Sequence, residues 1–192
     1  MTLLSTIKLS IVIPSFNDIR IIETIKSIKD QSLPNNEIEI IVMDPGSRSE
    51  ILENIRSLLD INDRLIIEKD EGIFDGINRG ILESSGEIIF TLGSDDKFAY
   101  PEAAEDIVEV IDDTGVDFLC SDLIYTNDNW EPIRFWQATL PSFFSFLIGR
   151  QVGHFSFAAR RNVYDTVGLF NKDLYVSADF DFFIRLGKSP LK

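Results

Sequence analysis

The chain has one cysteine, Cys120, and one histidine, His154, in 192 residues. A lone cysteine excludes an internal disulfide and suits a reducing compartment. A lone histidine leaves any metal site to oxygen ligands, which favours Mg2+ or Mn2+ over Zn2+. Bases are scarce too: 18 Lys and Arg against 32 Asp and Glu give a net charge of −14. Such a surface repels phosphate backbones, so nucleic acid is not an expected partner. No G-x-G-x-x-G follows the first apolar run and no G-x-x-x-x-G-K-[ST] occurs, so the dinucleotide-fold and P-loop readings lose their main support. No apolar run approaches the ~20 residues of a membrane span. Residues 9–13 are too short for a signal-peptide core. The expectation is a cytoplasmic protein, with at most peripheral contact at the inner face of the plasma membrane.

What is present alternates. Residues 8–13, 37–43, 65–67 and 87–92 read as buried strands, the first ending at Pro14. Between them lie helical stripes: Ile21, Ile22, Ile25 and Ile28; then Ile51, Leu52, Ile55, Leu58 and Leu59; then residues 73–84, which Gly86 can end. Ser47 and Glu50 have capping-box spacing, and Pro101 opens a helix carrying Ala104, Ile107, Val108 and Ile111. Alternation of this kind implies a mostly parallel sheet covered by helices on both faces. Beyond about residue 117 the pattern becomes strands at 117–125, 133–136 and 155–158, an aromatic stretch from Pro141 to Ile148, and a helix at 178–186. The chain reads as one α/β domain in two parts, about 1–116 and about 117–192, the second including a smaller β element.

In open sheets ligands bind beyond the carboxyl ends of the strands. Acids gather there: Asp44 after the second strand, Asp75 past the third, and Ser94-Asp95-Asp96 after the fourth. Without a glycine-rich cradle, diphosphate charge has to be neutralised by a metal. Asp95 and Asp96 could supply one metal ligand and one acceptor for a sugar hydroxyl. Taken alone, the same three residues read as an acidic turn capping the next helix.

Four collinear segments weigh against the plain turn. They are LSIVIPSFND (9–18), EIIVMDPGSRSE (39–50), DEGIFDGINRGILESSGEIIFTLGSDD (70–96) and GHFSFAARRNVYDTVGLFNKDLYVSADFDFFIRL (153–186). Together they resemble the family 2 glycosyltransferases, which have the nucleotide-sugar-binding GT-A fold. The resemblance implies inverting, metal-dependent transfer from a nucleotide sugar, a UDP-sugar by family frequency. The acceptor would be a saccharide or lipid-linked saccharide, in cell-surface polysaccharide or lipopolysaccharide synthesis. Pro14, Phe16 and Asn17 would border the base and ribose, and Asp44 would contact the base. Asp75, Asn78 and Arg79 would line the donor pocket. Ser94 and Asp95 would face the ribose or donor sugar, and Asp96 would hold Mn2+ or Mg2+.

The catalytic base is expected at Asp179. Asp181 is spaced for an ion pair with Arg185, whereas Asp179 has Phe at both 182 and 183 and keeps its carboxylate available. The resemblance places the base there too; the competing reading is a helix cap. His154 reads as a hydrogen-bonded structural residue, or else as a neighbour of the acceptor or metal. Trp130 and Trp136 read as packing residues, with stacking on an acceptor sugar as the alternative. Phe143, Phe144, Phe146, Leu147 and Ile148 read as core, or else as a membrane-docking patch. Cys120 reads as a buried strand residue.

The sequence departs from the family at Pro45, which removes a backbone donor beside Asp44, and at Lys192, which implies a compact or truncated member. A nucleotide- or partner-binding domain without catalysis is the alternative. A phosphoacceptor receiver domain fits poorly, because residues 117–120 are followed by Ser121-Asp122, not lysine.

Overall fold

The computed structural model describes residues 6–192, apart from the side chains of Phe143 and Leu147. The chain runs β1 (Leu9–Pro14), α1 (Ile21–Lys29), β2 (Ile38–Asp44), α2 (Ser49–Leu58), β3 (Arg64–Ile67), α3 (Ile73–Glu83), β4 (Ile88–Thr91) and α4 (Ala103–Thr114). It continues through β5 (Phe118–Cys120), β6 (Leu123–Thr126), β7 (Pro132–Trp136), α5 (Phe143–Leu147), β8 (Phe157–Arg160), α6 (Arg161–Val167) and α7 (Ala178–Leu186). The main sheet has six strands in the order β3-β2-β1-β4-β8-β5, and β6 and β7 pair separately as a hairpin. β1 to β4 are parallel, while β8 runs antiparallel to both β4 and β5.

Side chains alternate across each buried strand, which gives the sheet two cores. Ile11, Ile13, Ile40 and Phe90 pack with Ile25 of α1, Ile55 of α2 and Ile107 of α4. On the opposite face Val12, Ile41 and Ile89 meet Ile77 of α3, Tyr164 of α6 and Phe182 of α7. Helix α3 lies very close to the sheet at Gly80, where a Cβ would come within 2.3 Å of Val12 Cγ1. Among the described residues no helix is long and apolar enough to cross a membrane.

Several local expectations change. The capping box does not form: α2 starts at Ser49, and the Ser47 hydroxyl donates to Asp44 instead. Helix α3 ends at Ser84, and Gly86 is pressed onto β1, where a Cβ would lie 2.5 Å from Ser10 Oγ. Pro101 precedes α4, whose Ala104 amide donates to Gln31 Oε1 at 2.9 Å, a cap supplied from 73 residues away. The strand expected at 117–125 breaks into β5 and β6, because Ser121 N–H turns to Ser156 and Asp122 accepts from Ala138 N–H. The strand expected at 155–158 begins only at Phe157. Residues His154–Ser156 form a 3-10 turn in which both the amide and the hydroxyl of Ser156 donate to the Gly153 carbonyl.

The aromatic stretch is not core throughout. Phe144 and Ile148 are 77% and 71% exposed, and Phe146 is half-buried. The side chains of Phe143 and Leu147 lie outside the described residues. Cys120 is buried as expected, and burial raises its thiol pKa to about 12, so it is inert.

Candidate donor and acceptor site

The carboxyl ends of β1, β2 and β4 bring three loops together. After β4 the chain turns at Ser94-Asp95, with Asp96 N–H donating to Gly93 O at 3.1 Å. A Cβ on Gly93 would meet Asp96 Oδ2 at 2.5 Å and Asp95 Oδ1 at 3.2 Å. Both carboxylates therefore lean over the same glycine, which has no side chain to keep them apart. Burial, and then the charge of Asp95, raise the Asp96 pKa. A proton or a cation relieves that repulsion.

The loop after β1 supplies a counter-charge that the sequence reading missed. Arg20 forms a fork with Asp18, Nε to Oδ1 at 2.9 Å and Nη2 to Oδ2 at 2.7 Å, and its Nη1 lies 3.1 Å from Asp95 Oδ2. The Arg20 hydrogen bonds hold the Asp18 carboxyl below its usual range. Thr24 Oγ1 donates to Ser94 O at 2.9 Å, so α1 also holds the acidic loop. The Asp-x-Arg spacing at 18–20, just before a helix, was the available signal, but its partner Asp95 is 75 positions further along the chain.

The residues expected at the base have different surroundings. Pro14 ends β1 beside Met43, and Phe16 is 61% exposed. Asn17 is held at φ 52° between the loops: its N–H donates to Ser47 Oγ at 2.7 Å and its Oδ1 accepts from Arg48 N–H at 3.0 Å. Asp44 is buried and accepts from the Gly46 and Ser47 amides and the Ser47 hydroxyl, at 2.8, 2.6 and 2.6 Å. That occupies three of a carboxylate's roughly four acceptor positions.

Asp75 and Asn78, both in α3, serve different ends. Asp75 accepts from Glu71 N–H at 3.1 Å and lies 3.4 Å from Arg79 Nη2 and 3.6 Å from Lys172 Nζ. Arg79 also donates to the Lys69 carbonyl and pairs with Glu68. Buried Asn78 exchanges two hydrogen bonds with the backbone of Phe170, at 2.8 and 3.0 Å. Its amide fastens α3 to the chain leading into α7.

Asp179 lies in the first turn of α7, where its Oδ1 accepts from the adjacent Phe180 N–H at 2.8 Å. The N-cap position belongs to Ser177. Asp179 borders a cleft of about 290 Å3. Asp181 pairs with Arg185 at 2.9 Å as expected, but Arg185 also donates to the carbonyls of Val167 and Leu169 and so fastens a loop.

His154 is not the hydrogen-bonded histidine expected. Part of the residue reaches the surface, yet both ring nitrogens are buried and bond to no group among the described residues. The rings of Phe74, Phe155 and Phe170 surround it at centroid distances of 5.7, 4.7 and 5.1 Å. Burial lowers its pKa to about 4, against a smaller upward pull from Asp179. Trp136 stands apart on the β6–β7 hairpin, with the Arg134 guanidinium 5.1 Å from its ring centre. Trp130 is nearer the acids, and Lys97 Nζ lies 3.6 Å over its ring.

Among the described residues no three His, Cys, Asp or Glu side chains converge on a metal position. A carboxylate pair still suits Mg2+ or Mn2+, which take one or two protein carboxylates and draw further oxygens from phosphate and water. Burial and the neighbouring Asp95 charge raise the Asp96 pKa despite Arg20, and a bound cation would offset both.

Comparison with known proteins agrees with this architecture. The chain is 28% identical over 185 residues to a PGL/p-HBAD biosynthesis glycosyltransferase of Mycobacterium bovis, covering 94% of this chain and 70% of that protein. S. aureus TarS superposes with a TM-score of 0.71 at 22% identity, over 93% of this chain and 33% of TarS, so this chain spans about a third of it. The mannosyltransferase PcManGT of Pyrobaculum calidifontis, solved with GDP-Man and Mn2+, gives a TM-score of 0.68 at 18% identity, over 91% of this chain and 50% of that one. At such identities the structures establish the GT-A fold alone. The family model for glycosyl transferase family 2 matches residues 10–174. With that match spanning the sheet and the carboxylate pair, the chain belongs to glycosyl transferase family 2 and is a glycosyltransferase.

Proposed function

We propose that the chain transfers a sugar from a UDP-sugar to an acceptor hydroxyl, with inversion at the anomeric carbon, in the synthesis of cell-surface glycan. The observation that carries the donor side is the Asp95–Asp96 pair leaning over Gly93 at the end of β4. Mn2+ or Mg2+ held at Asp96 would supply positive charge for the diphosphate and the departing nucleotide. Asp96 would hold the ion, Asp95 would face the ribose or sugar, and exposed Phe16 would offer its ring to the base. On the other side of the reaction Asp179, with its carboxylate at the cleft, takes the proton of the acceptor hydroxyl. The freed oxygen attacks the anomeric carbon as the bond to the phosphate oxygen breaks. A single in-line displacement inverts the configuration.

The test is calorimetric titration of UDP, GDP and dTDP, with and without Mn2+. Binding of UDP only in the presence of metal supports the reading. Binding of GDP or dTDP instead would change the donor class. Failure of the folded protein to bind any of the three would leave a domain of this fold without donor chemistry.

A further inference from the structure

The turn between β6 and β7 holds a residue in an uncommon backbone state. Trp130 has φ 63°, in the left-handed region where a bulky side chain is an outlier. Hairpin loops that need this conformation usually place glycine there. Asn127 keeps the turn in shape. Its carbonyl accepts from Trp130 N–H at 2.9 Å, and its Oδ1 accepts from the amides of Asn129 and Glu131, each at 3.0 Å. Its Nδ2 donates to Glu131 Oε2 at 2.7 Å. Strain that the surroundings hold in place recurs at ligand sites.

The turn delivers the indole to the loop after β4. Lys97, the residue next to Asp96, is exposed, and its Nζ lies 3.6 Å over the Trp130 ring. Among the described residues this ammonium makes no ion pair and no hydrogen bond. Glu23, whose pKa is lowered mainly by Lys26 and slightly by Lys97, is paired with Lys26 at 2.8 Å. Asp128 of the same turn adds to the charge felt at Arg20, whose pKa is raised first by its hydrogen bonding to Asp18. The hairpin tip therefore lies against the loop that carries Asp95 and Asp96.

We propose that Lys97 is a diphosphate-binding residue of the donor site, and that Trp130 positions its ammonium until the phosphates take it. The inference rests on the assignment of the carboxylate pair as the donor site. A cation over a ring at an exposed place is held weakly, and a lysine stem turns easily. Phosphate oxygens offer a charge-assisted contact, which is stronger. In a chain of 32 acids and 18 bases, a lysine left on a ring beside two carboxylates is an unspent charge. The site has a use for it. Asp95 and Asp96 bring negative charge of their own, and Arg20 is already shared between Asp18 and Asp95. The demand grows during transfer. The bonding pair of the breaking C–O bond passes to the phosphate oxygen, and an ammonium stabilises it there without giving up a proton.

The test is calorimetric titration of UDP with Mg2+ into the wild type, Lys97→Met and Lys192→Met. Methionine keeps an apolar stem against the ring and removes the charge. Lys192, whose amide donates to Asp117, lies at the opposite end of the sheet and serves as the control. Lys97→Met should bind UDP about tenfold more weakly, and Lys192→Met should bind it as the wild type does. In Trp136→Phe the one remaining tryptophan is Trp130. Its emission should change when UDP and Mg2+ are added, and Lys97→Met in the same background should abolish the change. Equal UDP affinity in the wild type and Lys97→Met overturns the proposal, as does a Trp130 emission that bound UDP leaves unmoved. Failure of the folded wild type to bind UDP would instead overturn the donor assignment itself, and the proposal with it.

Discussion

Arg20 Nη1 lies 3.1 Å from Asp95 Oδ2, so a protein cation already leans on the carboxylate next to the one assigned to the metal. Both side chains are about half exposed, which keeps the pair weak. It still offsets negative charge that a divalent ion would use. Arg20→Ala should therefore bind Mn2+ alone about two- to fivefold more tightly, as read by water-proton relaxation. Unchanged or weaker Mn2+ binding would show that the charge balance at Asp95 does not reach the cation site.

Asp96 and Asp179 should separate by function. Asp96→Ala should lose the metal dependence of UDP binding. Asp179→Asn should bind UDP as the wild type does and transfer sugar roughly 100- to 10,000-fold more slowly. Wild-type turnover by Asp179→Asn would remove that residue from the base role.

His154 gives a prediction about stability. Two buried nitrogens without partners among the described residues are a cost that a ring of similar shape avoids, so His154→Phe should stabilise the fold by about 1–3 kcal/mol. The histidine also has a pH signature. Its folded pKa of about 4 is below the ordinary 6.5, so on acidification the unfolded chain takes up the proton first. Wild-type stability should fall between pH 6.5 and 4, by up to roughly 3 kcal/mol from this residue. Urea unfolding across that window should show a shallower slope for His154→Phe. Identical slopes would mean that the ring is solvated in the folded protein.

Asn78→Ala would leave the Phe170 N–H and C=O buried without their partners. The expected loss is about 2–4 kcal/mol, measured by denaturant midpoint. UDP affinity measured where the variant is still folded should stay near wild type, because the amide faces Phe170. A large fall in UDP affinity with stability intact would return Asn78 to the donor pocket.

Which of these features the sequence could announce depended on distance along the chain. Parallel strands buried on both faces read as continuous apolar runs, so β1, β2 and β4 were visible, as were the stripes of α1, α2 and α4. Acids at strand ends could be placed once the sheet was inferred. Contacts between distant segments could not: Gln31 capping α4, Arg20 reaching Asp95, and Asn78 holding Phe170 leave no local pattern. Ser47 misled because its hydroxyl had two possible uses, and Asp44, three residues back, outcompeted the helix end. Phe144 and Ile148 misled for a different reason, since hydrophobicity alone does not say whether a short helix lies inside a core or on its rim.

The position of β8 has a consequence for synthesis. A strand made well after β4, residues Phe157–Arg160, lies inside the sheet between β4 and β5. Until it leaves the ribosome, the β4 edge is an unpaired row of amides and carbonyls, open to pairing with other chains. The first 116 residues hold all three loops at the ends of β1, β2 and β4 but cannot close their own sheet. A nascent chain should therefore depend on chaperones until residue 160 emerges, and fragments ending before β8 should aggregate instead of folding as small nucleotide-binding modules.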